Sequence, residues 1–331
     1  MEQDRKAGCL FGMALGDALG AETEFLDIFS ILQRFPPHGI QSPQGNPARV
    51  TDDTQMALAV GDALIAAPRP YMPDSLSREF VRTFTDWYND PDNDRAPGNT
   101  CLTACEELLS GKAWYEAAQI NSKGCGANMR VMPIGLIDVD EATRAGMAQL
   151  QAAITHGHPT GLAAADLTAY VIADLGNDGS IDGLLKRVQT YAETQRGIYH
   201  QTWLGDLWER SIMFRSPDTY IARGWDECLG VLDRVDAVLV QPDRETDPCQ
   251  QTGAGWIAEE AFATALLCFL LYPDDATAVI RRAALTSGDS DSIAAIAGAF
   301  AGAYHGIDAW EHEWIERIEY HDRLAQQSAA L

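Results

Sequence analysis

Apolar positions recur with helical spacing along almost the whole chain. The run 5–21 is apolar on nearly every side, and Gly8, Gly12, Gly16 and Gly20 fall every fourth residue along it. Residues four apart share one face of a helix. The pattern therefore predicts a buried helix whose flat glycine face packs closely on another helix. A second apolar helix is predicted from Asp53 to about Ala66, ended by Pro68, Pro70 and Pro73. Residues 74–88 are amphipathic, with Phe80, Phe84 and Trp87 at helical spacing, which reads as a core stripe. Further helices are expected over 100–119, 160–175, 257–272 and 276–286, with an amphipathic tail helix carrying Trp310, Trp314 and Ile318. Stretches 36–50, 89–99 and 241–255 read as loops from their prolines, glycines and acids. No run alternates between apolar and polar residues with turns on both sides. The expected fold class is all-α, one compact multi-helix domain over residues 1–331.

Composition narrows the partners. The 331 residues are 46 % hydrophobic, enough for a sizeable core, and carry 24 basic against 48 acidic side chains, a net charge of −24. A surface this acidic argues against a nucleic-acid backbone or an anionic membrane as partner. Bound cations would neutralise part of the excess. The seven cysteines form no CxxC pair and no disulfide framework, which points to a reducing cytoplasm. The run after Arg5-Lys6 contains Asp17 and four glycines, unlike a signal peptide. The longest apolar run, 261–272, is too short to span a membrane.

Two stretches carry the candidate chemistry. Ser287-Gly288-Asp289-Ser290-Asp291-Ser292 runs directly into a small-residue apolar helix, and Thr51-Asp52-Asp53-Thr54 does the same further up the chain. Acids at a helix start favour the free N–H groups and the dipole, so each stretch also reads as an N-cap, with Asp52 and Gln55 as a capping box. Two such pairs in one chain add a second reading. If both helices are buried side by side, four carboxylates and several hydroxyls converge. Hard oxygen donors in that number suit Mg²⁺ or Mn²⁺, and two ions rather than one.

These stretches resemble the ADP-ribosylglycohydrolase family, which includes dinitrogenase-reductase-activating glycohydrolases and ADP-ribosylhydrolases. Further matches, in the family's order, are Gly16-Asp17-Ala18-Leu19-Gly20 with Glu24-Phe25, then Gly124-Cys125-Gly126-Ala127-Asn128-Met129-Arg130, then Gly255-Trp256-Ile257-Ala258-Glu259-Glu260-Ala261. The resemblance covers nearly the whole chain. It implies a hydrolase that removes ADP-ribose from a modified protein side chain at C1 of the distal ribose, releasing ADP-ribose. Two divalent cations would be held by Thr51, Asp52, Asp53, Asp289, Asp291 and Ser292. Glu24, Asp53 and Asp289 would be the catalytic carboxylates, Glu24 gating access to the bond. Gly124, Cys125, Gly126, Ala127, Asn128, Met129 and Arg130 would hold the distal part of ADP-ribose, with His156 bonding a ribose or phosphate oxygen.

On the residues alone, Arg130 reads equally as a phosphate partner or a buried structural arginine, and Trp256 as a core anchor before an adenine platform. Two positions depart from the family. Ser292 stands where Thr is common, and either supplies a hydroxyl oxygen. Ala96-Pro97-Gly98-Asn99-Thr100 replaces the Asp-Ile-Gly-Asn-Thr of nitrogenase-type members, so one acid near the substrate is absent. Asp92 or Asp94 in the preceding loop is the expected replacement, and the loop's Asp90, Asp92 and Asp94, with Glu24 across the cleft, favour an arginine linkage, since a guanidinium seeks carboxylates. The competing readings are an ADP-ribose-binding module without turnover, a crystallin-like structural member, and a two-metal phosphoester hydrolase.

Overall fold

The computed structural model describes residues 1–177 and 179–331, and the regular structure of these residues is helical, with no β-strand. At its centre, helix Gln3–Gly20 runs antiparallel to helix Ser290–His305. The glycine stripe makes this contact. A Cβ built on Gly12, Gly16 or Gly20 would fall 2.4, 2.0 or 2.3 Å from a backbone oxygen of the partner helix. Gly298 and Gly302 return the contact, lying against Gly12 O and Gly8 O. Only glycine allows backbones this close, and the pair therefore has one fixed register.

That register positions the chemistry. The C-terminal end of the first helix meets the N-terminal end of the second, so Gly20 lies against Ser290 and Asp291. Ser290 Oγ donates to Gly20 O at 2.9 Å, and Thr23 Oγ1 lies 2.7 Å from Ala284 O. Helix Asp52–Ala66 is capped by Thr51, whose Oγ1 accepts from Asp53 N at 3.2 Å. Ala67 is its C-cap, already extended, one residue before Pro68. Helix Pro73–Tyr88 buries Phe80, Phe84 and Trp87, as its spacing predicts. Helices Pro159–Gly176, Ala258–Leu271 and Ala276–Ala284 match the expected spans within one or two residues.

Two expected helices are broken. The span 100–119 is a helix only over Asn99–Leu109, followed by a separate turn at Trp114–Ala117. The break is at Gly111, whose φ of 93° is left-handed and cannot continue a right-handed helix. The tail divides into Ile307–Ala309, His312–Arg317 and His321–Ala330. Ile318 leaves the helix to pair with Ala48, whose N–H donates to Arg317 O and whose O accepts from Glu319 N. Trp310, Trp314 and Ile318 are buried, so the apolar periodicity reports burial and not helix continuity.

Candidate active site

Both acid pairs open onto one cavity of about 360 Å³. Its wall contains five carboxylates, from Glu24, Asp52, Asp53, Asp289 and Asp291, and no lysine or arginine. Glu24, Asp289 and Asp291 offer oxygens that all lie within 4.8 Å of one another, and Asp52, Asp53 and Ser292 line the same space. Asp289 is the N-cap of its helix by position, yet its side chain caps no N–H. Asp52 is not an N-cap either. Its expected box partner Gln55 turns away to Trp87 Nε1, Tyr320 Oη and Asp92 O. Thr51 does not face the cavity; it is buried behind Asp53 as the cap.

The electrostatics are those of buried, crowded like charges. Burial, and then the charge of Asp291, pushes Asp52, Asp53 and Asp289 well above the usual carboxylate range. The same two causes raise Glu24 to about 9. Asp53 Oδ2 is buried without a hydrogen-bond partner. Like charges gathered in a low-dielectric cavity need either protons or cations. An oxygen-only donor set with an orphaned carboxylate oxygen fits hard divalent cations.

Asp17 supports this cluster from behind. It is fully buried and accepts from Thr51 N at 3.0 Å, Thr54 N at 3.1 Å and the Thr54 hydroxyl. It thereby fixes the start of helix Asp52–Ala66 against helix Gln3–Gly20. Burial, then Asp291, raises its pKa to about 7, against the pull of the Thr54 and Thr51 hydrogen bonds. The sequence signal was a lone acid inside an apolar, glycine-rich helix, since such a carboxylate must find donors.

The glycine loop forms the next wall. Gly124, Cys125, Gly126 and Met129 line the cavity, whereas Ala127, Asn128 and Arg130 lie beneath it. Cys125 N donates to Trp256 O at 3.2 Å and Ala258 N to Lys123 O at 2.9 Å, stitching the loop to the start of helix Ala258–Leu271. Lys123 Nζ bridges Glu227 at 2.8 Å and Glu259. The Gly126 and Ala127 N–H groups open the short turn Cys125–Ala127, where the first donors of a turn have no partner behind them. Asn128 is spent on Ala258 O and the Thr168 hydroxyl.

Arg130 takes the structural role of its two alternatives. It donates to Gln151 Oε1, Gln151 O and Thr155 Oγ1 at 2.8, 2.9 and 2.8 Å, with its guanidinium 4.2 Å from the centre of the Phe84 ring. His156 lines the cavity, its Nδ1 2.8 Å from Thr155 Oγ1 and its Nε2 towards Gly124 and Gly126. Burial, then Arg130, lowers its pKa to about 3, so the imidazole is neutral.

The rim differs from expectation in two places. Ala96, Pro97, Gly98 and Asn99 border the cavity, while Asp90, Asp92 and Asp94 do not. Arg95 anchors this loop through Glu319 and Val50 O, so the acids that precede it face elsewhere. Trp256 is not a core anchor. It is 43 % exposed on the cavity rim and stacks on Phe25, with ring centres 5.5 Å apart and planes 17° from parallel. Phe25 is 70 % exposed and has a φ of 62°, a left-handed conformation that bulky residues rarely adopt.

Comparison with known proteins gives the family. The ADP-ribosylglycohydrolase family model matches residues 1–331. Human ADP-ribosylhydrolase ARH3 is 29 % identical, over 97 % of this chain and 92 % of its own length. The ADP-ribosyl-[dinitrogen reductase] glycohydrolase of Rhodospirillum rubrum is 26 % identical, over 96 % and 90 %. ADP-ribosylarginine hydrolase Tri1 of Serratia proteamaculans is 25 % identical, over 99 % and 79 %. A solved structure described as an ADP-ribosylglycohydrolase-related protein complex superposes with a TM-score of 0.68 at 22 % identity, covering 99 % of this chain and 96 % of that one. With its two acid-pair helices on one cavity and a family match along its full length, the chain belongs to the ADP-ribosylglycohydrolase family.

Proposed function

We propose that this protein is a metal-dependent hydrolase that releases ADP-ribose from a modified protein side chain, arginine being the favoured linkage. The observation that carries the reading is a cavity with five carboxylates and no basic side chain, walled on one side by the glycine loop. Residues 1–331 would act as one unit. The relatives' printed names, ADP-ribosylhydrolase and ADP-ribosylarginine hydrolase, point the same way.

Asp52, Asp53, Asp289, Asp291 and the Ser292 hydroxyl would hold two divalent cations, Mg²⁺ or Mn²⁺, with Thr51 keeping Asp53 in place. Such cations, when bound, neutralise the carboxylates, orient sugar hydroxyls and acidify a water. Gly126 and the neutral His156 would donate to the phosphates and ribose of the ADP-ribosyl group. That directs the scissile C1 towards Glu24, Asp53 and Asp289. Water adds its oxygen to C1 as the C1–N bond breaks, through an oxocarbenium-like transition state that nearby carboxylates stabilise. The leaving guanidinium nitrogen receives the proton. Glu24, on the rim beside Asp289 and Asp291, orients the attacking water and controls entry. A reducing cytoplasm is the compartment we propose, from the sequence pattern of its seven cysteines. No helix among the described residues is long and apolar enough to cross a membrane.

The test is ADP-ribose release from arginine-linked and serine-linked ADP-ribosyl peptides in Mg²⁺ or Mn²⁺. Faster cleavage of the arginine linkage is expected. Faster serine cleavage rejects the linkage, and release from neither peptide rejects the activity.

A further inference from the structure

The rim pair Phe25 and Trp256 is the largest aromatic surface the cavity offers, and nothing in the reaction so far uses it. Exposed aromatic rings at a polar cavity mark a contact for a ligand more often than chance exposure does. Phe25 is also held in a left-handed backbone conformation, at φ 62°, that a smaller residue would adopt more easily. The turn that holds it there is hydrogen-bonded on both sides, Glu24 N to Gly20 O at 3.0 Å and Leu26 N to Thr23 O at 3.1 Å.

The position of the pair selects its occupant. Phe25 follows Glu24, whose carboxylate lies within 4.8 Å of those of Asp289 and Asp291. Trp256 follows Gly255, where a Cβ would lie 3.2 Å from Asp289 Cβ. Asp289 N itself donates to Ala254 O at 2.8 Å. Both rings therefore stand one residue from the carboxylate cluster. They flank the carboxylate end of the cavity, where the proposed reaction would break the bond. A planar cation satisfies both halves of this surface: its face stacks on the rings and its edge meets the carboxylate of Glu24. A hydroxyl-linked side chain has neither a planar face nor a charge.

We propose that Phe25 and Trp256 form the leaving-group subsite, a platform that takes the guanidinium of an ADP-ribosylated arginine. This rests on the hydrolase reading above and assigns its linkage specificity to residues other than the acids of the 90–94 loop.

The experiment compares wild type with Phe25→Leu and Trp256→Leu, which keep apolar bulk and remove the π-face. Two quantities are measured. One is the ratio of kcat/KM for arginine-linked over serine-linked peptides. The other is the Kd of L-arginine amide for protein saturated with ADP-ribose. The ratio should fall about five- to thirty-fold in each variant, the range a cation–π contact covers from partly exposed to desolvated. The arginine amide Kd should rise by a similar factor, and the Kd of ADP-ribose should move less than about two-fold. An unchanged ratio and unchanged arginine amide binding overturn the proposal. A loss of ADP-ribose affinity equal to the loss on both peptides also overturns it and assigns the rings to adenine. If wild type cleaves neither peptide, the hydrolase reading fails, and arginine amide binding still decides the platform.

Discussion

Substituting Gly16 by alanine should destabilise the protein even though alanine is the better helix former. A Cβ at Gly16 would sit 2.0 Å from Ala294 O, 2.5 Å from Ala294 C and 3.0 Å from Ala295 N. Ordinary contact begins near 3.4 Å, so the helices must part by about 1.4 Å (3.4 − 2.0), and every obstructing atom is backbone. Overpacking costs about 1–3 kcal/mol, and here, with only backbone atoms to give way, the upper end of about 3 kcal/mol or more applies. Helix propensity returns about 1 kcal/mol, which leaves a net loss of about 2 kcal/mol or more. The unfolding entropy of 331 residues is about 0.7 kcal/mol/K, at about 2.1 cal/mol/K per residue. The expected fall in Tm is therefore about 3 °C or more. Gly230→Ala is the control. Gly230 lies inside helix Pro217–Leu239, and a Cβ there meets nothing within 4 Å. That variant should gain about 1 °C. Thermal unfolding of the two single variants against wild type decides the matter. A Gly16→Ala variant as stable as Gly230→Ala would refute the close-packed central pair.

Other consequences follow from the site. Gly126→Val should weaken ADP-ribose binding while leaving cation binding intact, because a Cβ there meets His156 Cε1 at 3.1 Å and Cys101 Sγ at 3.0 Å; calorimetric titration checks both. Metal-free Asp289→Asn should be at least as stable as metal-free wild type, since it removes a like charge, yet should lose the Tm increase that Mn²⁺ gives wild type. His156 has a folded pKa of about 3, below the unfolded value of about 6.5. The unfolded chain therefore binds the proton first, and stability is lost as pH falls from about 6.5 towards 3, by up to about 1.4 kcal/mol per pH unit. His156→Gln should flatten the fall of Tm between pH 6.5 and 5.

Features that depend on local pattern were legible in the sequence. The four-residue glycine spacing, the Phe80, Phe84 and Trp87 stripe and the two acid pairs each state a periodicity or a helix start, and the structure realises them. Features that depend on what lies opposite were not. Trp310, Trp314 and Ile318 keep helical spacing across a chain that leaves the helix at Ile318, because Ala48 pairs with it from a distant loop. Arg130 had two equal readings until Gln151 and Thr155 were placed beside it. Asp92 and Asp94 are turned from the cavity by the ion pair of Arg95 with Glu319, more than two hundred residues away. Trp256 heads an apolar helix in sequence, yet its ring lies on the rim because Phe25 is there to stack on it.

The central claim is that the carboxylates of the two helix starts hold divalent cations on which release of ADP-ribose depends. Free ADP-ribose released from an arginine-linked ADP-ribosyl peptide tests it most directly, assayed for wild type and Asp291→Asn, each with Mn²⁺ and with excess chelator. Wild type should turn over in Mn²⁺, stop in chelator and recover on readdition of the metal, and Asp291→Asn should lose at least about a hundred-fold, the scale of removing one preorganised electrostatic group. Turnover that survives chelation, or an Asp291→Asn variant as active as wild type, would contradict it.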